Sequence, residues 1–172
     1  LLTTNHRPHD RLFTLSWATS ASTALAAGMA ARIQAAYPEF WPETIRAQMV
    51  HSARWTKPMM DTYTPNGIRN QANMRQLLRH CGYGVPSLER ALYSASNSPT
   101  LIVQDQLQPY QKVGSVVRTR DMHLHDLPWP TEQLQALVDA QVTLRVTLSF
   151  FIEPNPGERG GIDKYAYQSH AL

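Results

Sequence analysis

The sequence predicts an α+β chain with its helices first and its strands after, and three observations carry that prediction. From Ser20 to Tyr37 small and apolar residues run on without a proline until Pro38 ends the pattern. At Asn97-Ser98-Pro99 the character changes, and short runs alternate apolar with polar as half-buried strands do. Val142, Leu144, Val146, Leu148 and Phe150 then alternate with Thr143, Arg145, Thr147 and Ser149, the two-residue period of a strand with one buried face. The joint near residue 98 divides a helical part, 1–98, from a β-rich part, 99–172, expected to be a small antiparallel domain of sandwich or jelly-roll type.

The elements follow in order. His6 and His9 flank Pro8 in an opening stretch expected to be mobile. A helix is expected from Ser20 to about Ala36, with Gly28 in close contact with another backbone. "WPETIRAQMVHSA" places Pro42 at a first helical position and Glu43 in the first turn, with Ile45, Met49, Val50 and Ala53 on one face. "RWTKPMMDTYTPNGIRN" has two prolines and an Asn-Gly and reads as a loop. "QANMRQLLRH" reads as a short helix. In "CGYGVPSLERALYSAS" two glycines make a tight turn before a helix capped by Ser87 and ending near Ala95. "TEQLQALVDA" is a helical turn or a strand edge, and 142–150 should pack its apolar face on strands from 100 to 127.

Composition excludes several classes. The net charge is only +3 and the basic residues are scattered, so neither a nucleic-acid nor a membrane footprint is expected. No apolar run reaches the roughly 18 residues of a membrane span. The single cysteine, Cys81, rules out an internal disulfide and a cysteine metal cluster, which suits a reducing, cytoplasmic compartment. A start at Leu-Leu-Thr-Thr suggests a piece of a longer protein.

The segment "SWATSASTALAAGMAARI" poses a chemical question, because it heads a run of small residues with the hydroxyls of Thr19 and Ser20. In register, "ATSASTALAAG" resembles the serine segment of subtilisin-like proteases, Gly-Thr-Ser-x-Ala-x-Pro-x-x-Ala-Gly. "AYPEFWPETIRAQMVHSA" is similar to the helix that follows in that family, and "GYGVPSLERAL" to the glycine turn and closing helix of its catalytic domain. The three segments stand in family order between residues 13 and 95. "VTLSFFIEPNPGERGG" is similar to a β-rich extension carried by one group of bacterial subtilases. The resemblance implies the helical C-terminal part of a subtilase α/β catalytic domain over 1–98, with the β domain after it.

It also implies roles. Ser20 takes the nucleophile's position, and its own N–H would be an oxyanion donor at a helix N-terminus, where unpaired amides and the helix dipole favour negative charge. Thr19 would shape the turn. Ala18 stands where the family has glycine, and Ala24 where it has proline. From these residues alone, a plain N-cap role for Thr19 or Ser20 stands level with the nucleophile's. The family's Asp and His motifs and its oxyanion Asn are absent from these 172 residues, so the chain alone is expected to be inactive. The implied reaction is peptide-bond hydrolysis through an acyl-enzyme, with a peptide or protein substrate and no cofactor. The missing N-terminal part of the catalytic domain is the expected partner, and apolar surface left uncovered is expected to favour self-association. His123 and His125 share one face of an expected strand with Asp121, but spacing fixes no third ligand and no metal site is expected. The rival reading is a degenerate, non-catalytic subtilase acting as a protein-binding module, which Ala18 favours.

Overall fold

The computed structural model describes residues 2–16, 18–96 and 100–151. It opens with a hairpin rather than a mobile stretch. β1 (Leu2–Thr4) pairs antiparallel with β2 (Phe13–Leu15), Leu2 opposite Leu15, and the Asn5 amide donates to the Leu12 carbonyl at 3.0 Å. The loop between them is held by the Asn5 side chain, which accepts from the Arg7 amide.

Five helices follow: α1 (Thr19–Ala36), α2 (Pro42–Ser52), α3 (Lys57–Tyr63), α4 (Gln71–Cys81) and α5 (Leu88–Ser96). α1 ends where Pro38 requires it to end. α2 starts on Pro42, whose missing N–H would have had no intrahelical partner there. α4 is capped by Asn70, whose side chain accepts from the Asn73 amide at 2.8 Å. Ser87 caps α5 through the Arg90 amide, as expected from the sequence.

α3 corrects the loop expected over 54–70. Pro58 falls in the first helical turn, where proline is tolerated, so it does not break the helix. Lys57 pairs with Asp61 one turn on at 2.6 Å, and the Thr62 hydroxyl bonds back to the Pro58 carbonyl. The second proline and the Asn-Gly then do stop the chain, in a short 3-10 turn (Pro65–Gly67) with Asn66 at φ 56.

Ile33, Ile45 and Ala91 form the buried centre where α1, α2 and α5 meet, with Tyr37, Phe40, Met49 and Leu92 around it. Leu77 of α4 is also buried. The Tyr37 hydroxyl donates to the Leu92 carbonyl at 2.8 Å and its ring stacks on Phe40. Gly84, at φ 96, is where α5 is tied back to the end of α2. A Cβ there would lie 2.3 Å from the Arg54 carbonyl oxygen, and the neighbouring Val85 forms a two-way backbone bridge with Arg54.

Beyond residue 99, β3 (Tyr110–Val113) and β4 (Val116–Thr119) form a second hairpin, turning on Gly114 at φ 65 and Ser115. A short helix, α6 (Thr131–Ala136), occupies the stretch left open between helix and strand edge. The described chain therefore has helices and two small antiparallel sheets, an α+β composition. No helix of the described residues is long and apolar enough to cross a membrane.

Residues 142–150 overturn the strongest strand expectation. They join no sheet, and the five apolar side chains point away from cover, Val146 79% and Leu148 67% exposed. The period of two survives, but inverted. Arg145, Thr147 and Ser149 face α2 and hydrogen-bond to it, which a polar helix surface makes favourable and an apolar strand face cannot offer. The rest of the proposed β-rich extension, 152–172, lies outside the described residues.

Candidate functional site

β2 delivers the chain to the N-terminus of α1. Ala18 is the N-cap residue, at φ −135 and ψ 145, with no side-chain cap on the helix. This corrects the simpler reading of Thr19 or Ser20 as an N-cap. Thr19 and Ser20 are the first two helical residues, so their amides lie among those an α-helix leaves without an intrahelical acceptor. The first amide bonded back is that of Ala21, to the Ala18 carbonyl at 3.1 Å. Ala18, Thr19 and Ser20 are all exposed. Among the described residues the Ser20 hydroxyl makes no hydrogen bond, whereas the Thr19 carbonyl accepts from the Thr23 hydroxyl at 2.9 Å.

The Ala18 backbone is extended, a conformation every residue adopts, so the helix entry itself does not require the glycine of the family pattern. Only the methyl distinguishes Ala18 from that glycine. Gly28 is a correction. A Cβ built on it would meet nothing within 4 Å, and the residue is exposed rather than pressed on another backbone. The cause is local: the α1 residues that join the core, Met29, Ala30 and Ile33, all lie in the second half of the helix, and only Ile33 is fully buried.

Four of the described histidines, His51, His80, His123 and His125, are engaged elsewhere. His80 stacks on Tyr63 and its Nδ1 contacts the Gln76 carbonyl. His123 Nδ1 lies 2.6 Å from Asp105 Oδ2, and the His125 ring packs edge-on against His123. His51 Nδ1 lies 2.9 Å from Thr147 Oγ1. Burial, and then the positive charges of Arg145 and Arg54, hold the His51 imidazole below its ordinary pKa. Arg54 and Arg145 both donate to the carbonyls of His51 and Ala53 at the end of α2, and Arg90 donates to that of Ser52. The negative end of the helix dipole thus gathers three guanidinium groups. Burial, and then repulsion from Arg145 and Arg90, pulls the Arg54 pKa down. None of this convergence was foreseen from sequence, since Arg145 is remote from α2 along the chain.

A cleft of about 490 Å³ lies elsewhere, lined by Trp55, Met60, Asp61, Thr64 and Arg69 among others. No residue of α1 lines it. The start of α1, with Ala18, Thr19 and Ser20 exposed, is an open surface.

A family model described as the subtilase family matches residues 1–84. That stretch, just under half of the chain, is similar to the subtilase family. The match takes in the β1–β2 hairpin, the serine segment and α1 to α4, and stops at the Gly82–Gly84 turn, so α5, β3, β4 and α6 lie beyond it. No curated protein and no solved structure matches the chain. At family level the subtilase segment is that of a serine protease, a hydrolase of peptide bonds.

Proposed function

We propose that Ser20 is the nucleophile of a subtilisin-type serine endopeptidase, acting with a base and an orienting carboxylate that lie outside these 172 residues. The observation that carries the reading is the place of Ser20 in the subtilase segment: an exposed hydroxyl in the first turn of α1, beside amides that the helix leaves unbonded. Ser20 Oγ would attack the scissile carbonyl while the base takes its proton. The carbonyl oxygen, negative in the tetrahedral intermediate, would accept from the Ser20 N–H, with the helix dipole adding to the stabilisation. Collapse of the intermediate expels the amine and leaves an acyl-enzyme, which water hydrolyses.

A serine hydroxyl without a base is a weak nucleophile, and no described histidine bonds to Ser20. The 172-residue chain alone is therefore inactive in this reading. A fluorophosphonate probe should label Ser20 in a chain that also carries the subtilase Asp and His motifs and should leave the 172-residue chain unlabelled. Ala18 supports a second reading, a degenerate subtilase that binds a protein without cleaving it, because its methyl can crowd an approaching substrate backbone. Ala18→Gly separates the two. Labelling that appears only in the glycine variant points to crowding of the cleft by the Ala18 methyl, and labelling in neither chain favours the binding module.

A further inference from the structure

We propose that Asp105, His123 and His125 form a binding site for a divalent transition metal of the zinc class. One ligand atom from each residue lies within 4.8 Å of the other two. The Asp105 carboxylate oxygen is 2.6 Å from His123 Nδ1, and the two imidazole rings meet edge-on with centroids 6.3 Å apart.

The fold explains how residues so far apart in sequence arrive together. The β3–β4 hairpin pairs Tyr110 with Thr119, and its register continues past the strands. Gln108 and Asp121 exchange contacts, the Asp121 amide donating to the Gln108 carbonyl and the Gln108 amide to the Asp121 carboxylate. That pairing carries the incoming chain at 105 alongside the outgoing chain at 123 to 125. The incoming side is fixed by its neighbour: Gln104 Oε1 accepts from the Trp41 amide and the Thr44 hydroxyl, each at 2.6 Å, at the start of α2. Asp121, by contrast, is committed to Gln108 and Arg120.

The chemistry of the set selects the ion. Two imidazoles and one carboxylate suit zinc and its neighbours, whereas calcium and magnesium want oxygen ligands throughout. Three protein ligands leave a fourth position for water. Donors on one tetrahedral zinc sit about 3.3 Å apart, given metal–ligand bonds of about 2.0 to 2.1 Å. Exposed side chains at 4.8 Å or less reach that spacing by rotating their χ angles. Bound there, the ion bridges the two legs of the hairpin and staples them beyond the last backbone pair.

The test is calorimetric titration of the metal-free chain with Zn²⁺, and separately with Mg²⁺. The expected result is one zinc site, no magnesium site, and zinc affinity reduced by about tenfold or more in each of His123→Ala, His125→Ala and Asp105→Asn. Circular dichroism of the metal-free variants should match the parent chain, since all three side chains are exposed, and a variant that has unfolded is replaced by the gentler His→Gln or Asp→Ser change. As a second readout, Zn²⁺ should protect the stretch 105–125 from proteolysis in the parent and not in His125→Ala. Zinc binding unaltered by the three substitutions, binding lost only in a His6→Ala, His9→Ala chain, or no binding at all would overturn the site.

Discussion

His51 Nδ1 and Thr147 Oγ1 lie 2.9 Å apart and join the last turn of α2 to a segment 96 residues further along the chain. Around that contact Arg145 reaches the carbonyls at the end of α2 and Arg46 reaches Ser149 and the Phe150 carbonyl. The subtilase segment and the residues after it are thus fastened through polar groups, with the apolar side chains of 142–150 left outward.

This contact should be sensitive to acid. Burial, and then the adjacent Arg145 and Arg54, lower the pKa of folded His51, so folding favours the neutral ring. As pH falls through about 6.5, the unfolded chain takes up a proton that the folded chain refuses, and stability falls. The loss levels off once pH passes below the lowered folded pKa. Urea midpoints between pH 8 and pH 5 should drop in the parent more than in His51→Gln, the difference isolating this ring from the other histidines. Equal slopes in the two would reject the assignment.

The Arg46 bonds give a second prediction. Arg46→Ala removes two hydrogen bonds to 149–150 and should weaken the docking of that segment by about 1 kcal/mol, because the pair is solvent-exposed. Hydrogen exchange should rise in 145–150 and stay unchanged in α1. Equal exchange in both chains would mean that Arg46 does not hold the segment.

Two glycines should respond in opposite ways. Gly84→Ala forces a side chain onto φ 96 and a methyl to within 2.3 Å of the Arg54 carbonyl oxygen, so it should destabilise by about 2 kcal/mol or more. Gly28→Ala meets open space inside a helix and should stabilise by up to about 1 kcal/mol. Thermal melts of both variants decide it. A destabilised Gly28→Ala chain would mean that another element does press on that face of α1.

The uncovered apolar strip carries a prediction on association. Replacing Val146 and Leu148, 79% and 67% exposed, by Thr should reduce concentration-dependent self-association measured by light scattering. A chain that scatters as a monomer before the change, at all concentrations, would remove the strip as a cause.

The helical part was legible because its signals are local. Pro38, Pro42, Asn70 and Ser87 each mark a helix boundary by their own backbone or side-chain chemistry, and each does so in the structure. The opening hairpin was missed because Leu2–Thr4 and Phe13–Leu15 are only three residues each, too short to show a period. α3 was missed because Pro58 was read as a breaker, when its place in the first turn makes it harmless. Residues 142–150 failed for a different reason: alternation fixes which side chains share a face, and tertiary contacts decide which face is covered. Ser20 is singled out by the family pattern alone; the match over residues 1–84 is at family level and assigns no role to a single residue. Asp105 escaped notice because its nearness to His123 depends on the hairpin register. The signal that points to it is the Gly114-Ser115 turn between two short apolar runs.

The proposed role of Ser20 as nucleophile is open to fluorophosphonate labelling of the chain joined to a subtilase Asp and His segment, read by mass spectrometry of the labelled peptide. The expected result is a single adduct on Ser20, no adduct in Ser20→Ala, and a loss of peptidase turnover in that variant on the order of the millionfold known for removal of a subtilisin serine, with folding unchanged. An adduct on another residue, or wild-type turnover in Ser20→Ala, would contradict it.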